Sequence, residues 1–498
     1  MFKQTALTSC DSYKLGHADQ YPEGTTKVYS NFTPRSENHF NIPKEYKDGR
    51  ITWFGLQGFL IELKEIWQST FFDENIDTLV NEASSFYAPF CGPNGFNTDR
   101  LRQLHSVGYL PLEIKALPEG VRVPIGVPVL TITNTLPEFF WLPNFLETWI
   151  SAELWKACTS ASTSFVYRKI INKYAEITGG SKEFIDWQGH DFSVRGMSGI
   201  ADAAKSGAGH LIYFTGTDNL PAVKYLNDSY FGKDTFIGGS VPATEHSVMC
   251  AGGMETELET FKRLLRKYPS GVISIVSDTW DFWNVITNMA EVLKEDILNR
   301  VPDQFGLAKT VFRPDSGDPV KIICGDIFAD TNTSEFKGAV ECLWDIFGGT
   351  INELGYKTLN QRVGLIYGDS ITPQRAEEIL RQLASKGFAS DNIVFGIGSY
   401  TFQYQTRDTL GFAMKATYVE IGDRCIPIFK DPKTDSGTKK SAKGLLAVQQ
   451  SGNGYILLNN VTKVQETSDN LLEGVFLDGK ILRKESFANI RNLAASFL

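Results

Sequence analysis

Short apolar runs that alternate with helix-like segments constrain the fold of this chain more than any other feature of its sequence. The runs occupy residues 211–214, 272–276, 309–312, 363–367 and 392–395. Segments with helical periodicity lie between them at 258–267, 285–299, 338–347 and 373–386. Such runs are typical of parallel strands that are buried on both faces, with helices as crossovers. The pattern predicts an α/β fold, best matched by an irregular (β/α) barrel of parallel strands, with a doubly wound open sheet as the alternative.

A group of polar residues follows each of these runs directly. The groups are Thr217-Asp218, Ser277-Asp278, Arg313-Pro314-Asp315-Ser316-Gly317, Gly368-Asp369-Ser370 and Gly396-Ile397-Gly398-Ser399. Barrels place their active sites at the carboxyl ends of their strands. We therefore expect all five groups to meet at one rim, with His246 entering from its own loop.

The segments on either side of the barrel predict a second, smaller, mostly antiparallel sheet domain. Strand-like stretches occur at 27–32, 112–115, 128–133, 415–419 and 455–458. Two helices are expected at 138–155 and 160–178, and the polar, lysine-rich segment 431–443 predicts a loop. The expected division is a flanking domain of residues 1–150 and 413–498 around a catalytic domain of residues 151–412.

Charge and cysteine content argue against several classes of protein. The 498 residues carry a formal net charge of −9, which argues against a general binder of nucleic acids. The seven cysteines lie far apart without a CxxC pair, which favours neither zinc nor disulfides and fits a reducing compartment. Residues 1–20 lack the apolar core of a signal peptide, and the most apolar region, 136–155, is interrupted by glutamates and a proline. We expect a cytoplasmic protein without membrane spans.

His246 ends the stretch Ser240-Val241-Pro242-Ala243-Thr244-Glu245-His246, which follows two glycines. An imidazole titrates near neutral pH and can act as base, acid or nucleophile. Glu245 and Asp278 can hold this imidazole in one tautomer and stabilise its cation. A lone histidine at a loop edge is more often structural, but the neighbouring groups favour chemistry on a phosphorylated substrate.

Further groups offer the contacts that a phosphorylated substrate with a flat ring needs. Phe192 can stack on a heterocycle while Arg195 meets its polar edge or a phosphate. Asp218 can accept hydrogen bonds from an amide. Arg313 can bind phosphate and Asp315 can contribute to a Mg²⁺ site, although a turn with a surface ion pair explains this motif equally well.

Glycines near the last run suggest a phosphate cradle of a different kind from the common nucleotide motifs. Backbone amides around Gly398 and Ser399 can hold an anion, with Arg407 and Lys415 supplying charge. The third glycine of a dinucleotide fingerprint is absent, and the chain contains no P-loop.

An ordered set of these motifs resembles the nicotinamide phosphoribosyltransferase family of type II phosphoribosyltransferases. The motifs are Asp11-Ser12-Tyr13-Lys14, His190-Asp191-Phe192, Gly216-Thr217-Asp218, Ser240-Val241-Pro242-Ala243 with Glu245-His246, Arg313-Pro314-Asp315-Ser316-Gly317, Gly368-Asp369, Thr406-Arg407-Asp408 and Phe429-Lys430-Asp431-Pro432. They extend over nearly the whole chain.

The resemblance implies an enzyme of NAD salvage that joins nicotinamide to 5-phosphoribosyl 1-diphosphate (PRPP), giving nicotinamide mononucleotide and diphosphate with Mg²⁺. It implies that ATP, as an activating co-substrate, phosphorylates His246 with support from Glu245 and Asp278. It also implies a homodimer with shared active sites, in which nicotinamide lies between Phe192 and the partner subunit's Tyr13. The carboxamide would meet Asp218, with Arg313 beside the ring.

The resemblance further implies which residues hold ribose, phosphate and diphosphate. They are Arg195, Arg313, Pro314, Asp315, Gly368, Asp369, Gly398, Ser399, Arg407, Lys415, Lys430 and Lys439. Mg²⁺ would be held through the diphosphate, with Asp315 as a candidate ligand.

The chain departs from the vertebrate members of that family at two places. Ser193-Val194 replaces Gly-Tyr, and Ser399-Tyr400 replaces glycines.

Three other functions compete with the one that the resemblance implies. They are a nicotinate phosphoribosyltransferase, a non-catalytic ligand-binding protein on the same scaffold, and a metal-dependent hydrolase. Asp218 argues against the first, because a carboxylate repels nicotinate, and the full set of charged strand ends argues against the second.

Overall fold

The structure is a computed structural model that describes residues 3–92, 95–430, 441–452 and 454–498. The N-terminal part contains α1 (His17–Gln20), β1 (Thr25–Thr33), β2 (Arg50–Thr52), α2 (Leu56–Trp67), α3 (Ile76–Cys91), α4 (Asp99–Val107), β3 (Leu112–Ala116), β4 (Arg122–Pro124), β5 (Leu130–Asn134) and α5 (Leu142–Thr178).

The middle part alternates strands and helices, as the sequence predicts. It contains β6 (Gly189–Asp191), α6 (Ile200–His210), β7 (Gly216–Thr217), α7 (Leu220–Ser229), α8 (His246–Cys250), α9 (Glu257–Lys267), β8 (Ile273–Val276), α10 (Phe282–Asn284), α11 (Ala290–Leu298), β9 (Thr310–Arg313), α12 (Pro319–Cys324), α13 (Ser334–Lys337), α14 (Ala339–Phe347), β10 (Gly349–Ile351), β11 (Lys357–Leu359), β12 (Val363–Tyr367), α15 (Pro373–Ser385), β13 (Val394–Ile397) and α16 (Ser399–Gln403).

The C-terminal part is rich in strands. It contains β14 (Ala413–Ile421), β15 (Arg424–Pro427), β16 (Leu446–Ser451), β17 (Gly454–Asn459), α17 (Lys463–Ser468), β18 (Glu473–Leu477), β19 (Lys480–Ile481) and α18 (Phe487–Ala495).

Six parallel strands form a curved sheet, and four of them, β8, β9, β12 and β13, lie at predicted apolar runs. Their order is β7-β6-β13-β12-β9-β8, and every pairing within it is parallel. Residues 239–244 bridge the two edges of this sheet, because Gly239 pairs in parallel with Gly216 of β7 and Ala243 with Ser274 of β8. The predicted irregular (β/α) barrel is confirmed, and His246 follows its closing segment directly.

A second sheet joins the two ends of the chain. Its order is β15-β14-β1-β5-β3-β18-β19, so three N-terminal strands form the centre, two C-terminal strands lie at each edge, and the pairings are antiparallel. The predicted second sheet is confirmed, whereas the exact division at 150/151 and 412/413 stays a prediction. One continuous apolar core includes buried residues of both sheets and of α5.

The prediction of two helices at 138–155 and 160–178 is wrong, since α5 is a single helix of 37 residues. The expected break falls in a stretch rich in serine and threonine, whose hydroxyls can compete for backbone hydrogen bonds. Those of Thr159, Ser162 and Thr163 instead donate to carbonyls four residues earlier, at 2.7–2.8 Å. The polar groups are therefore satisfied within the helix, and the run does not end it.

The prediction of a strand at 211–214 is also wrong. α6 ends at His210 and the apolar run forms the turn after it, while the strand is the short β7. Arg491 of α18 donates to the carbonyls of Leu211 at 2.7 Å and Ile237 at 2.5 Å. Hydrophobic periodicity cannot distinguish a buried strand from a buried turn in so short an apolar run. Here the distant Arg491 supplies hydrogen bonds to backbone carbonyls that a neighbouring strand would otherwise supply.

Within the described residues, no helix combines the length and the apolar character needed to cross a membrane.

Candidate active site

The five polar groups after the barrel strands meet at one rim, because the strands run parallel. Oδ2 of Asp278, after β8, accepts hydrogen bonds from the Asp315 backbone N–H at 2.8 Å and the Ser316 hydroxyl at 2.6 Å. Gly368, after β12, lies against the same loop, since a Cβ there would be 2.9 Å from Oδ1 of Asp315. The hydroxyl of Tyr367 donates to the Ser316 carbonyl at 2.9 Å and holds the loop from below.

The Phe192 ring packs between two of these strand ends. A Cβ on Gly396 would lie 2.5 Å from the ring, so the ring rests on the bare backbone of β13. The guanidinium carbon of Arg313 lies 4.8 Å from the ring centroid, within the range of a cation–π contact. Nε of Arg313 is buried and has no hydrogen-bond partner among the described residues.

Asp218 is held by two donors at the end of β7. Its Oδ1 accepts hydrogen bonds from Nε2 of His190 at 3.0 Å and from the hydroxyl of Ser240 at 2.5 Å. Burial alone would raise the pKa of the Asp218 carboxyl, but these hydrogen bonds, with the charges of His190 and Arg313, hold the pKa below its usual value. The carboxylate is therefore ionised at neutral pH.

His246 begins α8 and faces the buried end of β8. Its Nε2 lies 3.3 Å from Oδ1 of Asp278, whose side chain is 3% exposed, while the imidazole side chain is 48% exposed. Glu245 accepts a hydrogen bond from the Ser247 hydroxyl and is exposed. The structure thus brings Asp278 to the imidazole, whereas the contact of Glu245 is with Ser247.

Two turns that carry predicted phosphate ligands pack against each other. Arg195 lies in a short 3-10 helix, Val194–Gly196, and is exposed. A Cβ on Gly196 would lie 2.0 Å from Oγ of Ser399, the first residue of α16. A Cβ on Gly398 would meet open space, so there is room beside the turn.

A second group of basic residues surrounds Lys415 on β14. Burial lowers the pKa of the Lys415 ammonium, and the nearby charges of Arg35, Lys14 and Arg407 lower it further, while Glu147 opposes them. Nη2 of Arg407 also lies 3.1 Å from Oδ1 of Asp408. This group of basic residues is a candidate anion site, although Lys14 pairs with Glu147 and Arg407 with Asp408.

Tyr13, beside Lys14, is 60% exposed and packs edge-on against His17. Within the described part of the chain, no contact joins its ring to Phe192. Lys430 is exposed and its backbone pairs with Ser441. Lys439 lies outside the described residues.

The carboxylates of this rim fit the way Mg²⁺ binds to phosphorylated substrates. The described residues contain no group of three or more His, Cys, Asp or Glu that could hold a metal by themselves. Mg²⁺ typically takes one or two carboxylates together with substrate phosphates. Asp315 offers such a carboxylate beside Arg313, whose Nη2 lies 3.8 Å away.

Sequence reasoning missed three residues that complete these arrangements. His190 and Ser240 were noted only as parts of motifs, yet both bind Asp218. Arg35 had no motif, yet it lies near Lys415. The strand order that pairs β6 with β7 was the missing information, because it places His190 beside Gly216.

Comparisons with known proteins identify the family. The profile described as the nicotinate phosphoribosyltransferase (NAPRTase) family matches residues 187–480, and that of the nicotinamide phosphoribosyltransferase N-terminal domain matches residues 5–114. The chain belongs to the nicotinate phosphoribosyltransferase family. It is therefore a member of an enzyme family whose reaction transfers a phosphoribosyl group.

Relatives within this family match along most or all of the chain. A nicotinamide phosphoribosyltransferase of Acinetobacter baylyi is 53% identical over 499 residues, covering 100% of this chain and 98% of the relative. One of Mycoplasma pneumoniae is 35% identical over 461 residues, covering 88% and 94%.

Two solved structures share the fold. Human nicotinic acid phosphoribosyltransferase matches with a TM-score of 0.53 at 15% identity, covering 98% of this chain and 93% of that one. Nicotinate-nucleotide pyrophosphorylase from Pyrococcus furiosus matches with a TM-score of 0.56 at 14% identity, covering 99% and 94%. At these identities the likeness supports the fold alone.

Proposed function

We propose that this chain joins nicotinamide to PRPP, giving nicotinamide mononucleotide and diphosphate, and that ATP activates it by phosphorylating His246. The single observation that carries the choice of nicotinamide is the ionised Asp218 beside Phe192. Its carboxylate accepts a hydrogen bond from an amide N–H but repels the carboxylate of nicotinate. The relatives named nicotinamide phosphoribosyltransferase support the same choice.

The proposed reaction is a displacement at C1 of the ribose. The pyridine nitrogen of nicotinamide attacks C1, the bond from C1 to the diphosphate oxygen breaks, and diphosphate leaves with the electron pair. Phe192, seated on Gly396, stacks against the pyridine ring and Asp218 orients its carboxamide, so that the nitrogen points at C1. The partner subunit's Tyr13 covers the other face of the ring.

Basic residues stabilise the leaving anion and hold the sugar. Arg313, beside Asp315, donates to the developing diphosphate charge, and Asp315 helps to hold Mg²⁺, which when bound neutralises the diphosphate oxygens. Arg195, Gly398 and Ser399 bind the ribose phosphate in the open space beside α16. Pro314, Gly368, Asp369, Arg407, Lys415, Lys430 and Lys439 complete the proposed phosphate and diphosphate contacts.

The 3.3 Å separation of His246 Nε2 from Asp278 Oδ1 supports a separate role for each nitrogen of the imidazole. If Nε2–H donates to Asp278, Nδ1 carries the lone pair that attacks the γ-phosphorus of ATP, and ADP leaves. Asp278 then stabilises the charged phosphoimidazole. Glu245 adds negative charge to the start of α8.

Product identification tests the proposal directly. The purified chain is given PRPP and Mg²⁺ with nicotinamide or nicotinate, with and without ATP, and products are identified by mass spectrometry. We expect nicotinamide mononucleotide, formed faster with ATP, and an acid-labile phosphoryl label from γ-labelled ATP. The label should disappear in His246→Ala and persist in the control His39→Ala, whose histidine is exposed.

Two results would contradict the proposal in different ways. Faster use of nicotinate would make the chain a nicotinate phosphoribosyltransferase. Full turnover and full labelling in His246→Ala would remove His246 from the mechanism while leaving the enzyme class intact.

A further inference from the structure

One face of α5 carries polar side chains that reach the segments after two barrel strands. Lys156, Thr163 and Tyr167 are spaced by seven and four residues, which places them on the same side of a helix. The Tyr167 hydroxyl donates to the Ile371 carbonyl at 2.7 Å, and Gln405 donates to the Thr163 hydroxyl at 2.8 Å. These contacts attach the loops that follow β12 and β13 to α5.

Lys156 is the charged member of this face. Its ammonium donates to the carbonyl of Phe402, in the last turn of α16, at 2.8 Å, and its side chain is 5% exposed. Nζ also lies 3.6 Å from Oδ1 of Asp202 in the first turn of α6, and Oδ2 of Asp202 accepts the Ser198 N–H at 3.0 Å. A buried ammonium therefore lies between the end of α16 and the segment that follows Arg195.

The two segments joined by Lys156 also contact each other. Gln403 of α16 donates to the Ser198 hydroxyl at 2.5 Å. Gly196 and Ser399 are so close that no Cβ fits on the glycine. The turn that carries Arg195 and the turn that carries Gly398 and Ser399 thus form one unit, and Lys156 is the cation within it.

We propose that Lys156 is a positioning residue for the phosphate of PRPP, holding the Arg195 turn and the Gly398-Ser399 turn at a fixed separation. The inference rests on the proposed function. Lys156 does not touch the substrate. Its ammonium donates a hydrogen bond to the Phe402 carbonyl and forms an ion pair with Asp202. Without the cation, the carbonyl of the buried Phe402 loses its Lys156 donor and Oδ1 of Asp202 loses the nearby ammonium, so the two turns separate to admit water.

The test compares Lys156→Met, which keeps the length of the side chain, with Lys156→Arg, which keeps its charge. In Lys156→Met we expect KM for PRPP to rise about tenfold or more, while KM for nicotinamide changes less than about twofold. The pyridine contacts stay in place because Phe192 and Asp218 directly follow the strands β6 and β7. Lys156→Arg should recover most of the affinity for PRPP.

Lys205→Met is the matched control. Lys205 is another buried lysine, but its ammonium pairs with Glu62 and Glu153. This variant should lose stability without a selective rise in KM for PRPP. Equal rises in both KM values in Lys156→Met, or the same selective rise in Lys205→Met, would overturn the inference.

Hydrogen exchange gives a readout that does not depend on activity. Amides of residues 399–405 should exchange faster in Lys156→Met than in the wild type, and unchanged exchange there would also overturn the inference. If Lys156→Met does not fold, Asp202→Asn replaces it in the test. We then expect a smaller selective rise in KM for PRPP and a smaller increase in the exchange of amides 399–405. If the wild-type chain does not use PRPP at all, the proposed function fails, while exchange still decides whether Lys156 holds the turns together.

Discussion

In the proposed site, the negative charge of Asp218 is what favours nicotinamide over nicotinate. We predict that Asp218→Asn lowers the ratio of kcat/KM for nicotinamide to that for nicotinate by about tenfold or more, since the repulsion of a second carboxylate is removed. The His190 and Ser240 side chains that now hold the carboxylate can still bind an amide oxygen, so the side chain should keep its place. Steady-state kinetics with both substrates measure the ratio.

Asp228→Asn is the control for this substitution. Asp228 pairs with Lys224 on the surface of α7, so its loss of charge should leave the ratio unchanged. An unchanged ratio in Asp218→Asn would show that Asp218 does not read the substituent of the ring.

At the scale of single elements, α2 begins at a buried carboxylate. Glu119 accepts hydrogen bonds from the backbone N–H groups of Gly55 at 2.6 Å and Gln57 at 2.7 Å, and from the hydroxyl of Tyr230 at 3.0 Å. Burial raises the pKa of the Glu119 carboxyl to about 7, although these hydrogen bonds oppose the shift. The start of this helix therefore binds a proton that an unfolded chain releases at lower pH.

This raised pKa predicts a pH dependence of stability. An unfolded chain loses the proton near pH 4.5 and the folded chain near pH 7, so the free energy of unfolding should fall as the pH rises between these values. The contribution of Glu119 over this window is on the order of 3 kcal/mol. Urea unfolding across the window should show a shallower decline in Glu119→Gln than in the wild type or in Glu138→Gln, a change on the surface. Parallel declines in all three would contradict the assignment.

At the scale of the whole molecule, the exposed Tyr13 predicts an active site shared between two copies of the chain. Tyr13→Ala and Phe192→Ala should each raise KM for nicotinamide. In a mixed dimer, one site carries both changes and the other carries neither. Random mixing should therefore restore about one quarter of the wild-type sites. Activity of the mixture measured after denaturation and joint refolding tests this arrangement.

Two controls make the mixing experiment decisive. Each variant refolded alone must stay at its own low activity, and differently tagged chains must co-purify, which shows that mixed dimers formed. Mixed dimers without recovered activity would place Tyr13 in its own subunit's site or outside the site.

The sequence by itself determined four of the six barrel strands, β8, β9, β12 and β13, and the polar residues near their ends, because both depend on local patterns of apolar and polar side chains. Runs such as 363–367 and the groups that follow them lie where they were expected. The motifs of the site likewise stand in contiguous stretches, so they could be recognised without coordinates.

Only the tertiary structure decided which distant residues meet. In the structure, residues 160–178 continue the helix that precedes them, and residues 211–214 form a turn whose Leu211 carbonyl accepts a hydrogen bond from Arg491. Residues 239–244 bridge the two edges of the barrel sheet. The tertiary structure also set His190 and Ser240 on Asp218, and Lys156 between two turns. These contacts follow from strand order and from the need to pair buried polar groups, and neither leaves a local pattern in the sequence.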